Sequence, residues 1–184
     1  EETNQYIGLK GLNLEEHFRR LVPIPMTVGN DMNFLTMGCW AQKHPDAGSL
    51  VTLFMGGNGI GGGMVINGRL WTGASGYCSE VGFLPVYERL NKGSLGLPPA
   101  EHISELYARL IQIYAVTVNP HMMVLYRHPL LEGRLDEIRR LCASYLPSKA
   151  IPSIELSYDY QQDYEKGLFT VAKSMGQAVS EGGL

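Results

Sequence analysis

Cysteine is scarce in this sequence. Only Cys39, Cys78 and Cys142 occur among 184 residues, an odd number at wide spacing. That makes neither a disulfide framework nor a zinc site, and reads as three reduced thiols. Long apolar runs are missing as well. None approaches the roughly 20 residues that a bilayer-spanning helix requires, and the first residues lack the pattern of a signal peptide. A cytoplasmic protein with no membrane partner is expected. Neither sign of charge is in excess. Fifteen Lys and Arg stand against 18 Asp and Glu, a net charge of −3 with pI near 6.0, so electrostatics gives this chain no reason to hold nucleic acid. Internal repeats and low-complexity tracts are also lacking. The remainder, 45% hydrophobic and 18% charged residues, suits a globular domain with one buried core and room for a fragment of a second.

Glycine, by contrast, is concentrated. After the apolar run Val51–Met55, six of the eight residues Gly56–Gly63 are glycine, and Met64–Trp71 then reads as strand, Asn67-Gly68 turn and strand. Bare backbone can approach a guest closely and aim several N–H groups at it, and an anion is the natural guest. A glycine-rich hairpin that only satisfies tight turns has the same composition. A Walker loop is excluded, because no Gly-Lys-Ser/Thr follows and the segment leads into a strand.

Around this hairpin the chain alternates. Asn13 caps a short amphipathic helix that Pro23 and Pro25 stop, and Pro25–Val28 reads as a strand. Asn30 or Asp31 caps the next helix, which runs through FLTMGCWAQ, and KHPDAGS is a loop. Beyond the hairpin, Gly73–Phe83 is turn-rich and 84–99 has little periodicity. His102–Thr117 is helical, with Ile103, Leu106, Leu110, Ile113 and Tyr114 on one face. Met122–Tyr126 is an apolar strand, buried on both sides if parallel. Leu135, Ile138, Cys142 and Tyr145 mark a helix, IPSIELS holds a strand, and Tyr164, Leu168, Val171 and Met175 space out a last helix. His17, His44, His102 and His121 read as plain surface histidines without metal-ligand spacing. Three strands followed by helix, strand, helix, strand and helix predict an α/β fold. The expected architecture is a ribonuclease H-like (actin-like ATPase) lobe, a mixed sheet with helices on both faces.

Three blocks resemble the ROK family (repressors, open reading frames and kinases). GLKGLNL leading to VGNDMN resembles its approach to a catalytic Asn-Asp-x-Asn. GGNGIGGGMVINGRLWTGASG is similar to its phosphate hairpin, and SEVGF stands in place of its Glu-Ile-Gly-His. The resemblance implies a two-lobed sugar-binding protein, with residues 1–30 as the end of an N-terminal lobe and inter-lobe segment, and 31–184 as the C-terminal lobe. The Asp-x-Gly-x-Thr loop that opens the family's first lobe is absent.

The resemblance further implies that Asp31 takes the proton of a sugar hydroxyl attacking ATP, with Asn30 and Glu80 holding other hydroxyls. Gly57, Asn58 and Gly59 would meet the nucleotide phosphates, screened by Mg²⁺. Three departures qualify it. Phe83 replaces the histidine that contacts sugar and zinc, and 84–99 contains neither Cys nor His, so structural zinc is not expected. Tyr126–Pro129, YRHP, replaces glycines that let adenosine pack against the strand end. These departures favour a sugar-responsive transcriptional regulator, which would reach DNA only through a separate domain. The alternative is a kinase phosphorylating a hexose or N-acyl hexosamine, and a third reading is a degenerate member acting through oligomerisation. A homo-oligomer is expected in the family.

Overall fold

The computed structural model describes residues 11–22, 24–57, 59–86 and 99–181. Five strands form one sheet in the order β3-β2-β1-β4-β5: β1 Ser49–Gly56, β2 Gly59–Ile66, β3 Arg69–Leu70, β4 Met122–Tyr126 and β5 Ser153–Ser157. β1, β2 and β3 pair antiparallel, whereas β4 runs parallel to β1 and β5 parallel to β4. This is the expected mixed sheet. The β2–β3 connection is the expected tight turn, with Asn67 and Gly68 both at positive φ (51° and 72°), as a two-residue hairpin turn requires.

Two layers of helix cover the sheet. On one face lie α2 (Asp31–Lys43) and α5 (Tyr160–Glu181), over Leu50, Val124 and Tyr126, with Leu35 and Cys39 buried between. On the other lie α3 (Ile103–Thr117) and α4 (Leu135–Tyr145), packing Leu106, Leu110 and Ile138 against Val51, Leu53, Met123 and Leu125. Strand side chains alternate between faces, so β1 and β4, apolar at nearly every position, feed both cores. This is why Met122–Tyr126 reads as a continuous apolar run.

Three local expectations are corrected. Pro25–Val28 forms no strand. Its donors go instead to Glu15 on α1 (Leu14–Leu21), with Thr27 Oγ1 and Val28 N each 3.0 Å from Oε1. No residue of α1 is buried. The last helix departs from its apolar spacing at one position, since Tyr164, Val171 and Met175 are half-buried as expected. Leu168 is exposed, while Asp163 and Gly167 are buried, because α5 crosses α2 at backbone contact. A Cβ on Gly167 would lie 1.8 Å from Phe34 O, and one on Gly38 would lie 1.7 Å from Asp163 O. The crossing therefore selects glycine over leucine. His44 is not a plain surface histidine, since its side chain is only 15% exposed and its Nε2 lies 3.4 Å from Glu155 Oε2.

Candidate functional site at the carboxyl ends of the strands

In sheets of this kind ligands bind beyond the carboxyl ends of the strands, at the point where the connections diverge. Here that point is the end of β1, which has an antiparallel neighbour on one side and a parallel one on the other. Gly56 pairs with Gly59, and Gly57 lies in a turn at the tip of the hairpin. Gly57 is exposed, with no heavy atom within 4 Å of where a Cβ would stand, and Gly59 has φ 133°. Open space and bare amides are what close approach of a phosphate needs. Asn58 lies outside the described residues, as do Gly8–Lys10 of the first resembling block.

The rest of the glycine run does different work. A Cβ on Gly61 would lie 2.8 Å from Met32 Cγ, and one on Gly63 would lie 2.0 Å from Thr36 Oγ1 and 2.7 Å from Met32 O. On the opposite face, a Cβ on Gly62 would lie 2.9 Å from Ser79 O. β2 is bare because α2 presses on one side of it and the Ser79–Glu80 segment on the other. Thr36 closes the first contact. It donates to Met32 O at 2.6 Å and meets Thr52 Oγ1 at 2.5 Å. Thr36 spends its one hydrogen on Met32, so Thr52 is the donor to Thr36. Either buried hydroxyl left unpaired would cost about 1–3 kcal/mol.

The contact between α2 and β2 places the start of α2 beside the hairpin. Asn30 is the N-cap, and its Oδ1 accepts from Met32 N at 2.9 Å; Asp31 Oδ1 accepts from the same amide at 2.8 Å. Both sequence candidates for the cap thus share one donor. Asp31 remains exposed in the first turn, where unpaired amides favour negative charge. Its neighbour Met32 packs on Gly61, two residues from Gly59. Tyr160 completes the surroundings. Burial first, and then the Asp31 carboxylate, hold its hydroxyl above the usual tyrosine pKa, and its ring stacks 4.5 Å from that of Phe54 on β1.

Glu80 is exposed and precedes the single turn Val81–Phe83. Ser79 before it adopts φ 68°, a left-handed conformation uncommon for serine. That conformation turns the chain sharply just before the carboxylate. Asp31 and Glu80 therefore flank β2 from opposite faces, with the bare strand between them. Phe83 is 79% exposed, and its ring meets Tyr77 edge-on at 6.2 Å.

At the ends of β4 and β5, Arg127 pairs with Glu132 and lies over the Tyr158 ring, 5.6 Å from its centroid. His128 Nδ1 accepts from Leu130 N and caps the turn Pro129–Leu131. Arg127 and His128 of the YRHP segment are thus both engaged, by Glu132 and the Tyr158 ring and by Leu130 N. Among the described residues no three His, Cys, Asp or Glu side chains gather in a way that could hold a metal ion.

Sequence reasoning missed the cluster that anchors the far end of α2. Lys43 Nζ reaches Asp163 Oδ2 at 2.8 Å, Asp159 at 3.1 Å and Ser157 Oγ at 3.0 Å, and Tyr126 donates to Asp163 at 2.6 Å. No local signal marks it, because Asp163 stands between Gln161-Gln162 and Tyr164-Glu165-Lys166, a stretch that reads as a solvated helix face.

Comparison with known proteins bears on the fold and on the family. The model of the ROK family matches residues 2–101. A glucokinase from Halalkalibacterium halodurans is 30% identical over 80 residues, covering 44% of this chain and 24% of the glucokinase. The match thus spans about a quarter of that relative's length. A ROK hexokinase from Thermus thermophilus superposes with a TM-score of 0.64 at 16% identity, over 86% of this chain and 70% of its own. A ROK family glucokinase from Streptomyces griseus, in complex with glucose and AMPPNP, superposes with a TM-score of 0.52 at 16% identity, over 85% and 71%. At these identities the structural likeness establishes the fold, that of the actin-like ATPases.

Proposed function

The chain belongs to the ROK family, and on that premise we propose that it contributes one wall of a sugar kinase's cleft, phosphorylating a hexose or N-acyl hexosamine at the expense of ATP. The observation that carries the reading is the exposed Asp31 carboxylate at the start of α2, next to Met32, whose side chain packs on Gly61 of the hairpin. The glucokinase relative and the kinases of the same fold support it over a regulator.

In this reading Asp31 accepts a hydrogen bond from the attacking hydroxyl, orients it, and takes its proton late in transfer. Fixing that hydroxyl against the donor turns an encounter into an intramolecular step. Asn30 spends its amide oxygen on the helix cap, so its amide nitrogen is the group left for a sugar oxygen. Glu80 holds a further hydroxyl pair from the other side of β2. The amides at Gly57, Asn58 and Gly59 cradle the phosphate oxygens, and the open space at Gly57 fits that guest. ATP with Mg²⁺ would supply the phosphoryl group and neutralise its developing charge.

The sugar-responsive regulator remains the second reading. Its support is the ion-paired Arg127 and the capping His128, where the family's adenosine glycines are expected. A cytoplasmic homo-oligomer is proposed under either reading. The intact protein, incubated with ATP, Mg²⁺ and a panel of hexoses and N-acyl hexosamines, tests the choice. ADP formation that depends on one of the sugars supports the kinase. Thermal stabilisation by a sugar, with none by ATP and no ADP formed, supports the regulator.

A further inference from the structure

Tyr160 is the first residue of α5 and is half-buried among other rings. It stacks on Phe54 at 4.5 Å and on Tyr164 at 6.1 Å, and meets Tyr126 edge-on at 5.9 Å. Phe54 ties this cluster to the hairpin. It pairs in register with Gly61, the glycine on which Met32 packs, and cross-strand partners face the same side of a sheet. A Cβ on Gly56 would lie 3.3 Å from the Phe54 ring. Tyr160 thus stands over the end of β1, on the face where α2 begins with Asp31.

The hydroxyls of the cluster are used differently. Tyr126 donates to Asp163 at 2.6 Å. The Tyr160 hydroxyl has no hydrogen-bond partner among the described residues, and burial first, then the nearby Asp31 carboxylate, keep its proton on. A tyrosine can offer a ligand its ring or its hydroxyl. Here neighbouring rings take up the ring, which leaves the hydroxyl as a neutral donor fixed beside the proposed base.

A fixed donor costs no reorganisation when negative charge develops in front of it. Phosphoryl transfer spreads such charge over the three equatorial oxygens of the group in flight. We propose that the Tyr160 hydroxyl donates a hydrogen bond to one of those oxygens, on the Asp31 side of the hairpin. The bonds made and broken remain those of the transfer itself, and Tyr160 keeps its proton throughout. The proposal rests on the kinase reading and adds a substrate-contacting residue to it.

The intact protein is compared with Tyr160→Phe, which keeps the ring and removes only the hydroxyl. Tyr164→Phe, from the same stack, is the control. Melting temperatures should agree among them. In Tyr160→Phe, kcat should fall about 100-fold, the scale of losing one such donor, with the KM for sugar unchanged. Binding gives a second readout. ADP, aluminium fluoride and the sugar together mimic the planar phosphoryl group, and their calorimetric affinity should weaken by a similar factor. Affinity for the sugar alone should not change, and Tyr164→Phe should match the unaltered protein throughout. A kcat for Tyr160→Phe within about twofold of the unaltered protein overturns the inference and leaves the kinase reading standing. So does a raised sugar KM at unchanged kcat, which would place the hydroxyl on the sugar. Equal losses in both variants also overturn it, because the stack and not the one hydroxyl would then be responsible. No sugar-dependent ADP from the unaltered protein overturns both.

Discussion

Lys43 Nζ lies 2.8 Å from Asp163 Oδ2, a carboxylate with 0% exposure. The contact joins the last turn of α2 to the first turn of α5. It fixes the end of α2 opposite the one that carries Asp31. Breaking such a pair strands a buried charge, which costs more than the pair itself contributes. Lys43→Met is expected to lower the unfolding free energy by about 3 kcal/mol, read from urea denaturation. A change below about 0.5 kcal/mol, the scale of an ordinary surface substitution, would show that the pair does not secure the helix.

The same lysine sets a pH dependence. Burial opposes its charge, but the hydrogen bonds to Asp163 and Asp159 outweigh burial and raise its pKa above the ordinary 10.5. A group whose pKa rises on folding stabilises fully below its unfolded value, and ceases to do so as pH climbs through the folded one. The stability gap between the unaltered protein and Lys43→Met should therefore hold steady from neutrality to just below 10.5, then narrow at higher pH. A gap that instead widens with alkalinity has the wrong sign for this assignment.

Gly63 has no room for a side chain. Its added Cβ would meet both Thr36 Oγ1 and the Met32 carbonyl; the hydroxyl can turn away, but the carbonyl belongs to the helix. Gly63→Ala is expected to cost about 2–3 kcal/mol through overpacking, visible as a melting temperature lower by roughly 4–12 °C for a domain of this size. Thr36→Ala in the same chain should recover little of that loss. Full recovery would place the strain on the hydroxyl alone.

Burial also separates the three thiols. It pushes Cys39 to about 12 and Cys142 to about 11, while Cys78 is half-buried in the 77–84 segment. The thiolate is the reactive species, so iodoacetamide at neutral pH should alkylate Cys78 first in the native protein and all three after denaturation. Mass spectrometry of the labelled peptides reads this. Prompt labelling of Cys39 would mean that the α2–sheet core opens readily.

Much of the fold was legible because its signals are local. The glycine run, the Asn67-Gly68 turn and the apolar run 122–126 each follow from short-range chemistry, and Asn30 announces the start of α2. Contacts between distant segments were harder to read. Leu168 fits a helical apolar stripe as well as Gly167 does, and only the approach of α2 decides which is buried. Pro25–Val28 has strand-like residues but no strand edge to join, because Glu15 takes its donors. At the site, the resemblance to the family's motifs marked Asn30, Asp31 and Glu80. Their placement on opposite faces of β2 depends on packing that no local pattern encodes.

Asp31→Asn separates chemistry from architecture. Asparagine keeps an oxygen for Met32 N, and Asn30 still caps α2, so melting temperature and sugar affinity should change little. Steady-state phosphorylation by the intact protein, with ATP, Mg²⁺ and whichever sugar it accepts, should fall by about 10²–10⁴ in kcat. Turnover within about twofold of the unaltered protein would contradict Asp31 as the base and take the proposed mechanism with it.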